Sequence, residues 1–380
     1  MKILIINKYC PLHPQAGGAE INLKETFSRL GKKHQIYLLS AMFPGAERKQ
    51  IYQNINIIRL GKKNSRNTIR IHFLIIFLLG YYLRKIKPDI LYEDVSVIPF
   101  FTPIFHPHQN KIILIHNFNR QHFFKSQRFV FALIGYLAET FFIFLYKKQK
   151  VIVVSQWMEE KLKEYGFKEI KKILNGVDHS LISEKKYFPE PAVLFLGRLE
   201  GRKGIDLFLK TYPLVKERIP QIRYFVAGNG FLYANTNFSL KEYKQKYKSE
   251  KNIQFFGFVS EEKKKELFQS CWLYVAPSRI EGYGISVLEA NATGTFVLAN
   301  DVEGLRESVR NGQTGELINC ENVKLFSQKI IFWLDKDKLV SKEEVCRQWA
   351  KFHDWNKASR QTNLYFKKNN KTNYENRHSS

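Results

Sequence analysis

The chain is 380 residues long, 44% hydrophobic and 14% aromatic, too long for one ordinary core and too apolar for wholesale disorder, so two globular domains are expected. Its four cysteines, Cys10, Cys271, Cys320 and Cys346, have no paired or metal-like spacing, which argues against a disulfide framework and a zinc site and fits a reducing compartment. The formal net charge of +26 is uneven: residues 1–150 hold 23 Lys and Arg against 7 Asp and Glu, whereas residues 251–350 hold 13 against 14. A lysine-rich coding bias explains a high count but not the asymmetry, which points to an anionic surface met by the first half, nucleic acid or membrane.

Residues 2–7 (K-I-L-I-I-N) read as a buried strand, with an apolar run too short for a signal peptide. A loop from Lys8 to Gly17 leads into a helix near Gly18 whose packed side carries Ile21, Leu23, Phe27 and Leu30. Strands near Gln35–Ser40 and Ile55–Leu60 complete a β-loop-α-β opening, the pattern of a doubly wound parallel sheet. Further strands are expected at Ile90–Tyr92, Ile112–His116 and Val151–Ser155.

Two intervening segments, Thr68–Leu83 and Phe129–Tyr146, are more apolar than a soluble helix needs. Lys62, Lys63, Arg66, Arg84, Lys85 and Lys87 flank the first; Lys147, Lys148 and Lys150 follow the second. Neither reaches the roughly 20 clean residues of a spanning helix. Two readings stay open: crossover helices packed on the sheet, or helices that also dip into an anionic membrane face.

After a proline-containing break at His179–Pro191, strands at Ala192–Gly197, Arg223–Ala227, Ile253–Phe256, Trp272–Val275 and Phe296–Ala299 alternate with helices near Ile205–Glu217, Glu261–Gln269, Ile285–Ala292 and Val323–Leu334. This is a second α/β domain, with ligands expected at the carboxyl ends of its strands. Tyr243–Lys251 reads as a basic, solvated insertion, and the tail from Lys367 lacks apolar periodicity and is expected to be disordered.

The chemistry concentrates in P-S-R-I-E-G-Y-G-I-S-V-L-E-A, Pro277 to Ala290. Gly282 and Gly284 allow a bend into a helix N-terminus at Gly284-Ile285, whose free N–H groups and dipole suit a phosphate. Glu281 and Glu289, with seven residues between them, would sooner meet hydroxyl groups on either side of that anion than the anion itself; the plainer alternative is two solvated glutamates. Gly197-Arg198-Leu199-Glu200-Gly201-Arg202-Lys203-Gly204 follows a strand and offers a forked donor in Arg198 and a point charge in Lys203, with Arg202 solvated. It lacks the order of a Walker loop, and Gly17-Gly18-Ala19-Glu20 lacks that of a nicotinamide-binding turn. His116 ends a strand run, where it is either a polar cap or a cleft residue.

The spaced acidic pair, followed by A-N-A-T-G-T-F-V-L-A-N and D-V-E-G-L-R-E, resembles the donor-site signature of the glycosyltransferase group 1 family, the GT4-type retaining enzymes. G-R-x-x-x-x-K-G at Gly197–Gly204, N-G-V-D at Asn175–Asp178, the glycine turn Gly228-Asn229-Gly230 and Phe352-His353-Asp354-Trp355 agree with it. The resemblance implies an α/β GT-B fold of two Rossmann-like domains facing across a cleft. Residues 1–185, completed by a helix at about 355–367, form the acceptor side; residues 190–352 bind the donor; residues 368–380 form the tail. It also implies that Gly18, Arg198, Lys203, Gly284 and Ile285 hold a diphosphate, Val259 and Glu289 the nucleoside, and His116 and Glu281 the transferred sugar.

No cofactor or metal is expected, because no D-x-D or histidine–carboxylate cluster stands out, and the nucleotide-diphosphate sugar serves as co-substrate. The acceptor would be a lipid-linked sugar or nascent glycan at the inner, cytoplasmic face of a membrane, transferred to with retention. Asn291, Thr293, Arg306 and Ser286 depart from the family's commoner residues, which leaves the donor sugar open. A nucleotide-sugar epimerase or phosphorylase of similar shape is the alternative enzyme. A basic nucleic-acid-binding protein is the non-enzymatic one, and no reading module for nucleic acid is recognisable.

Overall fold

The computed structural model describes residues 1–62, 68–95, 99–117, 129–229 and 240–378. Lys63 and Arg66, expected beside the first apolar segment, and Gly230 of the glycine turn lie outside these residues. The chain divides into two units, Met1–Leu174 with the segment from Trp355 onward, and Asn175–Asp354. The division falls before the expected 185–190 because the residues after Leu174 bond into the second unit. Val177 N–H donates to His353 O at 3.1 Å and Ser183 N–H to Ala292 O at 3.2 Å, while Lys185 Nζ donates to Phe268 O at 2.8 Å.

The first unit runs β1 (Lys2–Ile6), α1 (Gly18–Leu30), β2 (Gln35–Ala41), β3 (Lys49–Tyr52), β4 (Ile55–Leu60), α2 (Thr68–Ile86), β5 (Ile90–Val95), α3 (Thr102–Phe105), β6 (Lys111–Ile115), α4 (Phe129–Tyr146), β7 (Lys150–Val153), α5 (Gln156–Glu164) and β8 (Ile170–Lys172). Its sheet has the order β3-β4-β2-β1-β5-β6-β7-β8, parallel except where β3 pairs antiparallel with β4. β5 and β6 are buried along their whole length, as parallel strands covered by helices on both faces must be. The edge strands β3 and β8 are short and polar (K-Q-I-Y and I-K-K) and carry no apolar run for a sequence reading to find.

The second unit runs β9 (Ala192–Leu196), α6 (Ile205–Arg218), β10 (Arg223–Ala227), α7 (Leu240–Lys246), β11 (Ile253–Gly257), α8 (Glu261–Ser270), β12 (Leu273–Ala276), α9 (Ile285–Ala292), β13 (Val297–Asn300), α10 (Glu303–Ser308), β14 (Gly315–Ile318), α11 (Val323–Trp333), α12 (Lys336–Val340) and α13 (Glu343–Phe352). The sheet order is β11-β10-β9-β12-β13-β14, all parallel. Successive residues of β9 face opposite ways: Val193 and Phe195 pack with Phe208, Phe326 and Ile330, and Leu194 with Leu267, Phe268 and Val287 on the other face. The basic insertion is not wholly solvated, since Tyr243 of α7 is buried in the first of these clusters.

The chain then returns to the first unit as α14 (Trp355–His378). Phe366 packs on Phe27 and Tyr92 with ring centroids 6.1 and 5.7 Å away, and Ser359 Oγ donates to Thr26 O at 3.2 Å. The tail expected to be disordered is helical as far as His378. A helix nucleated on a packed face extends cheaply, because each added residue makes a bond without repeating the nucleation cost.

Candidate functional site

In the second unit the loops after β9, β10, β11 and β12 gather at the carboxyl edge of the sheet. Gly197 N–H donates to Ala227 O at 3.0 Å and Gly228 N–H to Gly257 O at 2.7 Å. A Cβ on Gly228 would lie 1.8 Å from Gly197 O, so only glycine lets these turns meet. Gly204 caps α6 at φ +73° and packs against Pro277, whose carbonyl would stand 2.0 Å from a Cβ there. That contact holds the loop bearing Arg198 and Lys203 against the loop bearing Glu281. Arg279 fastens both: it donates to Asp206 Oδ1 and Oδ2 at 2.8 and 2.9 Å, to Gly201 O at 2.5 Å and to Glu321 Oε1 at 2.6 Å.

Lys203 Nζ reaches Glu281 Oε2 at 2.5 Å, and Ser278 Oγ donates to the same oxygen at 3.3 Å. Burial alone would raise the Glu281 carboxyl, but Lys203, Arg202 and the Ser278 hydroxyl outweigh it and hold Glu281 below the ordinary carboxylate value. Arg198 Nε and Arg202 Nη2 share Glu200 Oε1 at 3.4 and 3.1 Å. Arg202 is therefore paired as well as partly solvated, and the Arg198 guanidinium stays half exposed. Gly284 opens α9 at φ +85°. The first intrahelical bond there runs from Val287 N–H to Gly284 O, so the amides of Ile285 and Ser286 have no acceptor within the helix.

Glu289, one turn further along α9, is buried and accepts from Lys264 Nζ at 2.7 Å. Lys264 also meets Glu261 at 2.7 Å; burial lowers its pKa, and the two carboxylates overcome that and hold it above the ordinary lysine value. Lys264 belongs to S-E-E-K-K-K-E, a charge run that reads as a solvated helix face, and its inward turn carries no sequence signal. Val259 sits after β11, half-buried beside Phe258, which is 83% exposed. The N-G-V-D turn is a structural joint: Asp178 Oδ1 accepts from Ser180 N–H at 2.9 Å, and Asn175 O faces His353 Nδ1 at 3.2 Å.

In the first unit Gly18 is exposed at the start of α1. Its neighbour Gly17 donates its N–H to Glu20 Oε2 at 2.7 Å, and Asn7 Nδ2 donates to Glu20 Oε1 at 3.3 Å. His116 follows β6 directly, and its Nε2 lies 2.8 Å from Asp94 Oδ1 near the end of β5. Burial lowers the imidazole pKa, but Asp94 and then Glu20 more than reverse this, leaving His116 above its ordinary value. Asp94 Oδ2 is buried and has no hydrogen-bond partner among the described residues. Gly18, Glu20, Asp94 and His116 thus collect at the carboxyl ends of β1, β5 and β6. Asp94 was missed because an expected strand ending at Tyr92 leaves Glu93-Asp94 in a loop, whereas β5 continues to Val95.

Two parallel α/β units define a fold similar to that of GT-B glycosyltransferases. Sucrose-phosphate synthase from Thermosynechococcus elongatus shares it with a TM-score of 0.80 at 17% identity, over 97% of this chain and 98% of that one. Anabaena Alr3699/HepE, solved in complex with UDP-glucose, shares it at 0.72 and 16% identity, over 97% and 100%. The profile of glycosyl transferases group 1 matches residues 180–352, and that of glycosyltransferase family 4 matches residues 16–181. The chain belongs to this glycosyltransferase family. The phosphatidyl-myo-inositol mannosyltransferase of Mycolicibacterium smegmatis is 30% identical over 198 residues, 50% of this chain and 49% of that protein. The chain spans about half the length of the curated relatives it matches.

Proposed function

We propose that the protein is a retaining glycosyltransferase that moves a hexosyl group from a UDP- or GDP-sugar to a lipid-linked or nascent glycan acceptor at the cytoplasmic face of a membrane. The observation that carries this reading is the Lys203–Glu281 contact of 2.5 Å, placed beside the opening amides of α9. It sets a cation for a departing diphosphate against a carboxylate for the sugar hydroxyls. Breaking the bond from the anomeric carbon to the diphosphate leaves negative charge on the nucleotide. Arg198, Lys203 and the amides at Gly284-Ile285 meet that charge without a metal ion. The acceptor oxygen attacks from the face the diphosphate leaves, and a phosphate oxygen takes its proton, so configuration is retained. Glu289 Oε1 is occupied by Lys264, and a ribose hydroxyl would meet Oε2. A lipid acceptor is supported by the name of the mannosyltransferase relative.

The test is a panel of UDP- and GDP-hexoses incubated with purified protein and a membrane lipid extract. Acceptor-dependent release of nucleoside diphosphate that survives EDTA is expected. Failure of every nucleotide sugar to bind would overturn the reading, loss of turnover with EDTA would overturn its metal-free part, and an inverted product would overturn retention.

A further inference from the structure

The two apolar segments are helices α2 and α4, and the sheet register places them on one side of the first unit. Leu4 pairs with Leu91 and Glu93 with Ile113, and residues two apart on a strand share a face. Leu4, Leu91 and Ile113 therefore point the same way. Leu4 and Leu91 pack with Ile71, Ile75 and Leu79 of α2, and Ile113 with Phe142, Ile143 and Tyr146 of α4.

Those inward residues leave an outward face that a soluble crossover helix would make polar. Phe73, Phe77 and Tyr81 stand four residues apart in a line along α2, 56%, 85% and 51% exposed. Phe141 and Phe144, three residues apart on α4, are 51% and 68% exposed, and Phe105 of α3 adds a further exposed ring. Among the described residues, ten of the eighteen large apolar side chains that are exposed belong to these three helices. Clustering of this kind marks an interaction surface, whereas scattered single residues mean little.

Exposed basic residues stand at both ends of α2, Lys62 and Arg70 at its start and Arg84 and Lys85 at its close, and those that follow α4 join the second group. Helices joining parallel strands run antiparallel to them, so the C-termini of α2 and α4 both lie toward the amino edge of the sheet, away from His116 and Gly18. Arg84 and Lys85 close α2, with Lys85 Nζ 3.2 Å from Tyr81 Oη. Lys147 follows α4 with Nζ 4.9 Å from the Phe144 ring centroid, and Lys148 and Lys150 come next. Helix α2 contains no acidic residue and α4 only the half-buried Glu139. No helix among the described residues is long and apolar enough to cross a membrane.

The geometry points to the outer face of α2, α3 and α4 as the surface by which the first unit lies on an anionic bilayer, its aromatic side chains in the interface and its lysine and arginine rim against the headgroups. A second copy of the chain is the poorer occupant, because its own cationic rim would repel this one. The inference deepens the membrane location proposed above, and its test uses neither donor nor acceptor, so either can fail alone.

The full chain is sedimented with vesicles of phosphatidylcholine alone and of phosphatidylcholine with phosphatidylglycerol. The chain is expected to pellet with the anionic vesicles and to be released as salt rises. A Phe77→Ser/Phe144→Ser double variant, with unchanged circular dichroism and melting temperature, is expected to bind at least about tenfold more weakly. Lys85→Glu/Lys147→Glu should reduce anionic binding to the level of neutral vesicles, while Phe332→Ser in the second unit should change nothing. Recovery of the wild type in the supernatant, equal binding to both vesicles, or unchanged binding of both double variants would overturn the assignment. So would a lipid-free dimer that Phe77→Ser/Phe144→Ser dissociates.

Discussion

Lys203 and Glu281 lie 78 positions apart in sequence and touch at 2.5 Å, joined by two close approaches of backbone. Gly204 lets the lysine loop rest on Pro277, and Arg279 N–H donates to Arg202 O at 2.9 Å. The side chains are 23% and 19% exposed, so each charge has lost most of its water and depends on the other.

Removing either partner strands the other. Glu281→Ala and Lys203→Ala should each cost about 1–2 kcal/mol in urea unfolding, less than a fully buried pair would. The double variant should cost less than the two combined. Glu281 is held below its ordinary value, so its share of stability is present above the unfolded carboxylate pKa and disappears as pH falls through the folded one. The stability gap between wild type and Glu281→Gln should close over that acid range. Both variants should also lower kcat/KM by about a hundredfold to a thousandfold. Additive stability costs with unchanged turnover would show that the pair is neither coupled nor functional.

The His116–Asp94 pair makes a prediction at higher pH. Burial works against the imidazolium, and Asp94 and Glu20 work for it and win. In Asp94→Asn burial is left with only Glu20 opposing it, so the His116 titration seen by NMR should move to lower pH. For a group whose folded pKa is raised, the stabilisation is complete below the unfolded histidine pKa and is lost as pH rises through the folded value. Wild type should therefore lose stability relative to Asp94→Asn as pH climbs through that window. If His116 titrates at the same pH in both proteins, the carboxylate does not control it.

How much of this was legible in the sequence follows from which residues carry local patterns. The interior strands announced themselves as unbroken apolar runs, and the glycine-flanked loop at Arg198–Lys203 and the turn into Ile285 were readable because backbone geometry demands glycine there. The partners of the charged groups were not readable. Lys264 and Glu289, or His116 and Asp94, meet only through register and helix packing, and nothing local tells Lys264 from Lys263 or Lys265. Strand β14 (G-E-L-I) and helix α10, six residues long, are too short to show a period. The tail failed for the opposite reason: composition argued for disorder where a docked helix continues.

Gly304 is the position where backbone packing alone sets the site. It lies in α10, and a Cβ added there would stand 2.0 Å from Glu281 O and 2.7 Å from the Gly282 carbonyl carbon. Neither atom is the loose end of a side chain, so Gly304→Ala must push the Glu281 loop away from α10, at about 1–3 kcal/mol by the usual cost of overpacking. Displacing Glu281 also loosens its contact with Lys203, so nucleotide-sugar affinity measured by calorimetry should fall with the stability. Gly312→Ala is the control: its φ of +75° is strained for alanine, but among the described residues nothing lies within 4 Å of the added Cβ. It should lose about 1–2 kcal/mol and bind donor as the wild type does. If Gly304→Ala and Gly312→Ala bind equally well, the loop has room to move and the position of Glu281 is set by something other than α10.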